Sequence, residues 1–172
     1  MQFYITPYGI RWGASPGAAF YYPAIMNGVS FFGRFIIGIL ADRKLGFFNS
    51  LAIFDLCTSI IAFTWIAARG NAGNIIFSCF YGFFSGSLQS LLSPCLAQLA
   101  PSPSLIGTWV GIGVTIVSFA VLGSQPIAGK LLDNNNGLNY VPMQVFIGVM
   151  LLAGTIFQVI TRFSFKNKTL KA

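Results

Sequence analysis

A chain of 172 residues that is 55% hydrophobic and 8% charged, with a mean hydropathy of +0.75, lies far from a soluble domain, where about a quarter of residues are charged. It reads as an integral membrane protein. Its formal net charge of +7 does not point to nucleic acid, because most basic residues stand beside or beyond apolar runs and no basic patch with interleaved aromatics lies outside them. With no histidine and only three acidic residues, Asp42, Asp55 and Asp133, the chain lacks the material for a zinc site, a His-based triad or a paired-carboxylate active site. No GxxxxGK[ST] loop marks a phosphate site either. Neither enzymatic activity nor a bound metal or cofactor is expected. Cys57, Cys79 and Cys95 all fall within predicted spans, without metal-ligand spacing, and read as packing residues.

The amino-terminal stretch has neither the basic region nor the small-residue cleavage site of a signal peptide. Residues 1–10, MQFYITPYGI, are apolar but only about half the ~20 residues that a spanning helix needs. They read as the last turns of a truncated helix, and with the polar turn that follows they form a first unit over 1–13. Five full spans are then predicted over 14–163, at 14–40, 49–68, 74–100, 105–132 and 141–163, with a basic tail over 164–172. The breaks are Asp42-Arg43-Lys44, the helix-stopping run Arg69 to Gly73, Pro101-Ser102-Pro103, and the polar loop from Asp133 to Tyr140. The fold class is therefore all-α, a polytopic transmembrane bundle.

On the first full span, Pro23, Asn27, Ser30, Arg34, Gly38 and Ala41 recur at steps of three and four, while Phe31, Phe32, Phe35, Ile36 and Ile39 largely cover the other faces. Arg34 sits two turns inside the span, where an unpaired charge costs about 2.5–3.5 kcal/mol by insertion scales at mid-helix. Three roles are open to it: holding an anionic substrate, snorkelling to the headgroups, or pairing with Asp55. Asp55, two turns into the second span, is a buried acid candidate, either a proton carrier or a partner for Arg34 or Arg43. Asp42 with Arg43 reads as a hairpin latch. In the third span Ser78, Gly82, Ser85, Gly86, Gln89 and Ser93 share a face, and in the fourth Gly107, Gly111, Thr115 and Ser118 share another. Both read as packing seams, because membrane helices associate by close backbone contact. Gln89, a long amide among small neighbours, is the exception and a candidate for substrate contact. Gly123 to Gly129, with Pro126 inside it, is expected to loosen the end of the fourth span.

Five crossings put the two ends on opposite sides. The positive-inside rule places Arg43, Lys44, Arg162, Lys166, Lys168 and Lys171 in the cytosol, with Met1 outside and the carboxy-terminus cytosolic. The sequon Asn167-Lys168-Thr169 would then never meet the glycosylation machinery.

Gly33-Arg34 followed by Gly38-Ile39-Leu40-Ala41-Asp42-Arg43 and then Gly46 resembles the cytoplasmic hairpin motif of the major facilitator superfamily, in its monocarboxylate-porter branch as found in fungi. The motif differs in that Lys44 looks inserted and Phe47 follows Gly46. The resemblance implies that this hairpin joins the eighth and ninth helices of twelve, with Gly38, Asp42, Arg43 and Gly46 as its gating residues. Ser93-Pro94-Cys95, Ile106-Gly107-Thr108 and the proline-glycine segment around Pro126 are similar to the tenth and eleventh helices. The likeness covers nearly the whole chain and implies the carboxy-terminal six-helix half of that fold, five full spans plus the end of a truncated one.

By that resemblance the protein is expected to be a secondary transporter of a small organic anion, with Arg34, Asn27, Ser30 and Gln89 as substrate-binding candidates. Ser30 stands where animal monocarboxylate porters carry an aspartate. The expected partners are the lipid bilayer, the anion, and an amino-terminal half or a full-length transporter, with no nucleic acid. The expected setting is a multi-pass position in the plasma membrane, or else an endomembrane. The alternative is a truncated, non-transporting membrane protein that packs on a full-length transporter through the Gly82–Gly86 face.

Overall fold

The computed structural model describes residues 3–68, 70–133 and 139–165, and every regular element among them is helical. Helix α1 (Ile5–Arg11) leads into α2 (Pro16–Leu40), and a widened π turn (Ala41–Leu45) joins α2 to α3 (Phe47–Thr64). There follow α4 (Gly70–Gln98), a short 3-10 turn (Pro103–Leu105), α5 (Ile106–Asp133) and α6 (Val141–Phe165). Five helices, α2 to α6, are long and apolar enough to cross a membrane, in keeping with the all-α polytopic reading. Most of the basic tail and its sequon lie outside the described residues, as does the loop segment 134–138.

Local chemistry accounts for the helix ends. The Ser15 Oγ accepts from the Ala18 N–H at 3.3 Å with Pro16 at the first helical position, which is the arrangement that satisfies free donors at a helix start. The hairpin turn ends at Gly46, whose φ of +75° is one that a residue with a Cβ adopts only with strain. Two expectations need correction. The run from Arg69 to Gly73 is not all turn: α4 begins at Gly70, where φ is +74°. Asn74 donates from Nδ2 to the Gly70 carbonyl at 2.9 Å, so the polar residues form a first helical turn. The segment around Pro126 also stays helical inside α5, since loss of one backbone donor is tolerated where its neighbours are bonded.

Helix α4 is the hub, in contact with α1, α2, α3 and α5, while α6 packs mainly on α3. The α2–α4 contact is the most extensive and is backbone against backbone. A Cβ on Gly33 would collide with the Phe83 carbonyl, one on Gly82 with the Met26 carbonyl, and one on Gly86 with Ser30. The Gly82–Gly86 face is therefore consumed by α2 of the same chain and cannot serve as the docking face for a second transporter.

The α5 face behaves oppositely. The most apolar stretch of α5 has no buried residue, a side chain added at Gly107 or Gly111 would meet nothing within 4 Å, and Thr115 and Ser118 are exposed. The expected seam there has no partner among the described residues, because α5 touches α4 along a different line, where Gly113 meets Leu96. Elsewhere the exterior is apolar: Phe20, Phe119 and Phe157 are each more than 70% exposed, a surface that suits lipid and not water.

One end of the bundle is closed by aromatics that the sequence reading did not single out. Trp65 is fully buried, with Tyr8 edge-on at 5.3 Å and Phe77 stacked at 5.7 Å. The Tyr8 hydroxyl donates to the Ala68 carbonyl at 3.1 Å, and the Tyr22 hydroxyl to Asn71 Oδ1 at 2.6 Å. Arg11 lies over the Tyr140 ring at 5.9 Å. Burial pushes the Tyr140 hydroxyl above its ordinary pKa, with Arg11 opposing the shift.

Gly86→Leu should force α2 and α4 apart and cost about 1–3 kcal/mol, lowering the melting temperature in detergent by several degrees. Gly107→Leu, facing open space in this bundle, should leave the intrinsic stability of these helices unchanged. Parallel melts of the two variants check the contrast.

Candidate functional site

The crossing of α2 and α4 also brings two long polar side chains together. Arg34 follows Gly33 directly, and Gln89 stands three residues beyond Gly86. Where the backbones meet, the Arg34 Nη2 donates to Gln89 Oε1 at 2.8 Å. Two of the four substrate-binding candidates, chosen from helices far apart in sequence, are thus a bonded pair. Both side chains are exposed at the edge of the packed helices.

Arg34 makes no ion pair with Asp55. One of its N–H groups goes to a neutral amide, and the rest of the planar fork has no other partner among the described residues. A guanidinium in that state keeps donors that can engage a carboxylate side-on. Gln89 accepts from one arm of the fork and still has an amide N–H group of its own to offer.

The remaining candidates are distributed differently. Ser30 is buried and its hydroxyl donates to the Asn27 carbonyl at 2.7 Å, so it faces Gly86 and is not brought into the Arg34–Gln89 pair. Asn27 is exposed two turns along α2. Gly38 is half-buried, and a Cβ there would meet nothing within 4 Å. Asp42 and Arg43 are exposed on the π turn, and the expected latch between them is not formed. Gly46 supplies the positive φ that lets the turn enter α3.

Asp55 lies elsewhere, 4% exposed, with its Oδ2 about 3.6 Å from where a Cβ of Gly154 on α6 would stand. Among the described residues a cleft of about 480 Å³ lies between α5 and α6 and ends at Tyr4. Its lining, which includes Phe119, Phe146 and Met150, carries no charged side chain, so it offers nothing to hold an anion.

An all-helical bundle with five helices suited to span a membrane, and an arginine–glutamine pair beside its closest helix crossing, has the form of part of a membrane transporter. Comparison with known proteins agrees. The chain is 40% identical over 154 residues to the aspyridones efflux protein of Emericella nidulans, covering 90% of this chain and 31% of that protein. It is 33% identical over 165 residues to the agnestins efflux protein of Paecilomyces divaricatus, covering 96% and 37%. It is 35% identical over 163 residues to an MFS-type transporter of Aspergillus niger, covering 94% and 37%. No protein-family model matches the chain.

The chain is a homologue of major-facilitator-type transporters. It spans about a third of the length of these curated relatives and corresponds to their carboxy-terminal part. It is an integral, multi-pass membrane protein, and its helices form a partial bundle of that type.

Gln89→Glu should convert the amide contact into an ion pair worth about 0.2–1 kcal/mol at an exposed position. It should also slow modification of Arg34 by an arginine-selective dicarbonyl reagent. Gln89→Leu should speed that modification, and peptide mass spectrometry of labelled membranes reads both.

Proposed function

We propose that the intact protein is a secondary transporter of monocarboxylate-porter type that moves a small organic anion, in the outward direction. The observation that carries this reading is the Arg34–Gln89 pair, a cation with most of its donors open and no carboxylate of the described residues on it. The outward direction is supported by two relatives named as efflux proteins.

In this reading the exposed edge that holds Arg34 and Gln89 forms one wall of a central cavity, and Asn27 extends it along α2. An opposing set of helices supplies the other wall, and access alternates by rocking of one set against the other. The unpartnered α5 face, with Gly107, Gly111, Thr115 and Ser118, is available to those helices, and small residues there allow close approach. The hairpin of Gly38, Asp42, Arg43 and Gly46 lies at the cytosolic end, with the carboxy-terminal tail on the same side by the positive-inside rule. The plasma membrane is the setting that fits outward transport.

The test compares transport with protein amount in vesicles carrying the intact protein. Arg34→Lys should lower the rate about tenfold while leaving membrane abundance unchanged, because a point charge replaces a two-pronged donor. Equal loss of rate and abundance would instead assign Arg34 to packing or insertion and overturn its substrate role.

A further inference from the structure

The cleft between α5 and α6 starts where α1 stops. Helix α1 sets Ile5 and Tyr8 into one core with Ala128 of α5 and Met143 of α6, and Ile147 packs against that core. Ala128 and Ile147 also line the cleft, so its wall continues the surface on which α1 already rests. Tyr4 stands at the junction. Its hydroxyl donates to the Gln125 carbonyl of α5 at 3.4 Å and lies 3.4 Å from where a Cβ of Gly129 would stand.

The first turn of α1 is not built as a helix start. Helix α2 opens on a Ser15 cap and Pro16, whereas the cap position of α1 is Tyr4, with helical dihedrals (φ −102°, ψ −10°) and no capping hydrogen bond from its side chain. An uncapped end leaves backbone donors uncovered, which is costly in lipid, and a further turn of helix would cover them. Pro7 does not bar such a continuation, since α2, α4 and α5 carry Pro23, Pro94 and Pro126 in their interiors. The seven residues of α1 rise about 10 Å against ~30 Å of hydrocarbon, so about 13 more would complete a span.

The cleft suits a helix better than it suits lipid. Its α5 wall is Ala120, Gly123, Ser124 and Ala128, small residues at helical spacing that let another backbone approach closely. A Cβ on Gly123 would meet nothing within 4 Å, and the Ser124 hydroxyl donates within its own helix to the Val121 carbonyl at 2.9 Å. The exposed exterior of α2 and α6 is built instead of large side chains such as Phe20 and Ile156. At about 100° per residue the wall lies roughly opposite the Gly107 row on α5, so the two faces serve different neighbours. The matched relatives carry about two thirds of their length outside the stretch shared with this chain, which corresponds to their carboxy-terminal part.

We propose that the α5–α6 cleft is the seat of an apolar helix of the intact protein, the amino-terminal continuation of α1 through Tyr4, which covers the wall from Ala120 to Ala128. The proposal rests on α1, α5 and α6, and it stands whether or not Arg34 and Gln89 hold an anion.

Photocrosslinking of the intact protein in its membrane tests it. Benzoylphenylalanine replaces Phe119 or Met150, two lining residues that are 71% and 56% exposed, so the probe enters without disturbing the core. Peptide mass spectrometry after irradiation should find adducts to the stretch of about 13 residues ahead of Met1. The same probe at Ile156, on the exterior of α6, should give lipid adducts. Adducts from Phe119 and Met150 to lipid alone, to a second copy or another protein, or a mature protein with no helix ahead of Met1, would each overturn the proposal. Gly123→Leu gives a second reading. It should lower the melting temperature of the intact protein by several degrees, because the leucine overpacks against the seated helix. An unchanged or raised melting temperature, as a leucine facing lipid would give, sinks the idea.

Discussion

The backbone contact between α2 and α4 is the constraint on which the rest of the bundle depends. In lipid there is no hydrophobic exclusion to press helices together, so cohesion comes from van der Waals contact and interhelical hydrogen bonds. Removing Cβ at Gly33, Gly82 and Gly86 lets the two backbones touch. That contact makes α4 the element around which α1, α2, α3 and α5 gather. It also sets the spacing at which Arg34 and Gln89 meet. The arginine–glutamine pair is thus a product of the packing beside it.

Polar content is sorted around this axis by need. Ser50, Asp55, Thr58 and Ser59 turn inward on α3, the helix on which α4 and α6 pack, and Thr58 and Ser59 spend their protons on carbonyls of their own helix. Helix α5 carries a comparable row of glycine and hydroxyl residues and leaves it open. Small and polar residues on a membrane helix mark a surface meant for protein or for a water-filled cavity. On α3 this chain provides the cover, and on α5 the described residues do not.

Much was legible in advance because it depends on local order along the chain. Apolar length and the turn residues between runs predict five spans, and the observed helices differ from them mainly at their ends. The α4 start moved forward to Gly70 because one glycine with positive φ completes the reversal, Asn74 bonds back to the Gly70 carbonyl, and Asn71 accepts from Tyr22 of α2. The residues of the hairpin and the pairing of a small-residue face with a neighbour were also readable from helical periodicity. Which neighbour was not. The Gly82–Gly86 face met α2, while the similar row on α5 met nothing, although both have the same spacing.

The same limit separates the candidate residues. Sequence alone identified the polar groups worth attention, Arg34, Gln89 and Asp55, because a charge or long amide in an apolar helix is costly wherever it lies. It could not say that Arg34 would bond to an amide and not to Asp55, or that the Ser30 hydroxyl would fold back on its own helix, because a partner is a matter of rotation about two helix axes. The aromatic closure around Trp65 likewise joins residues from separate helices with no common motif. Composition and periodicity therefore determined the membrane setting, the helix count and the list of polar residues. The tertiary structure alone decided which of them touch, since contact depends on the distance and angle between helices that only packing sets.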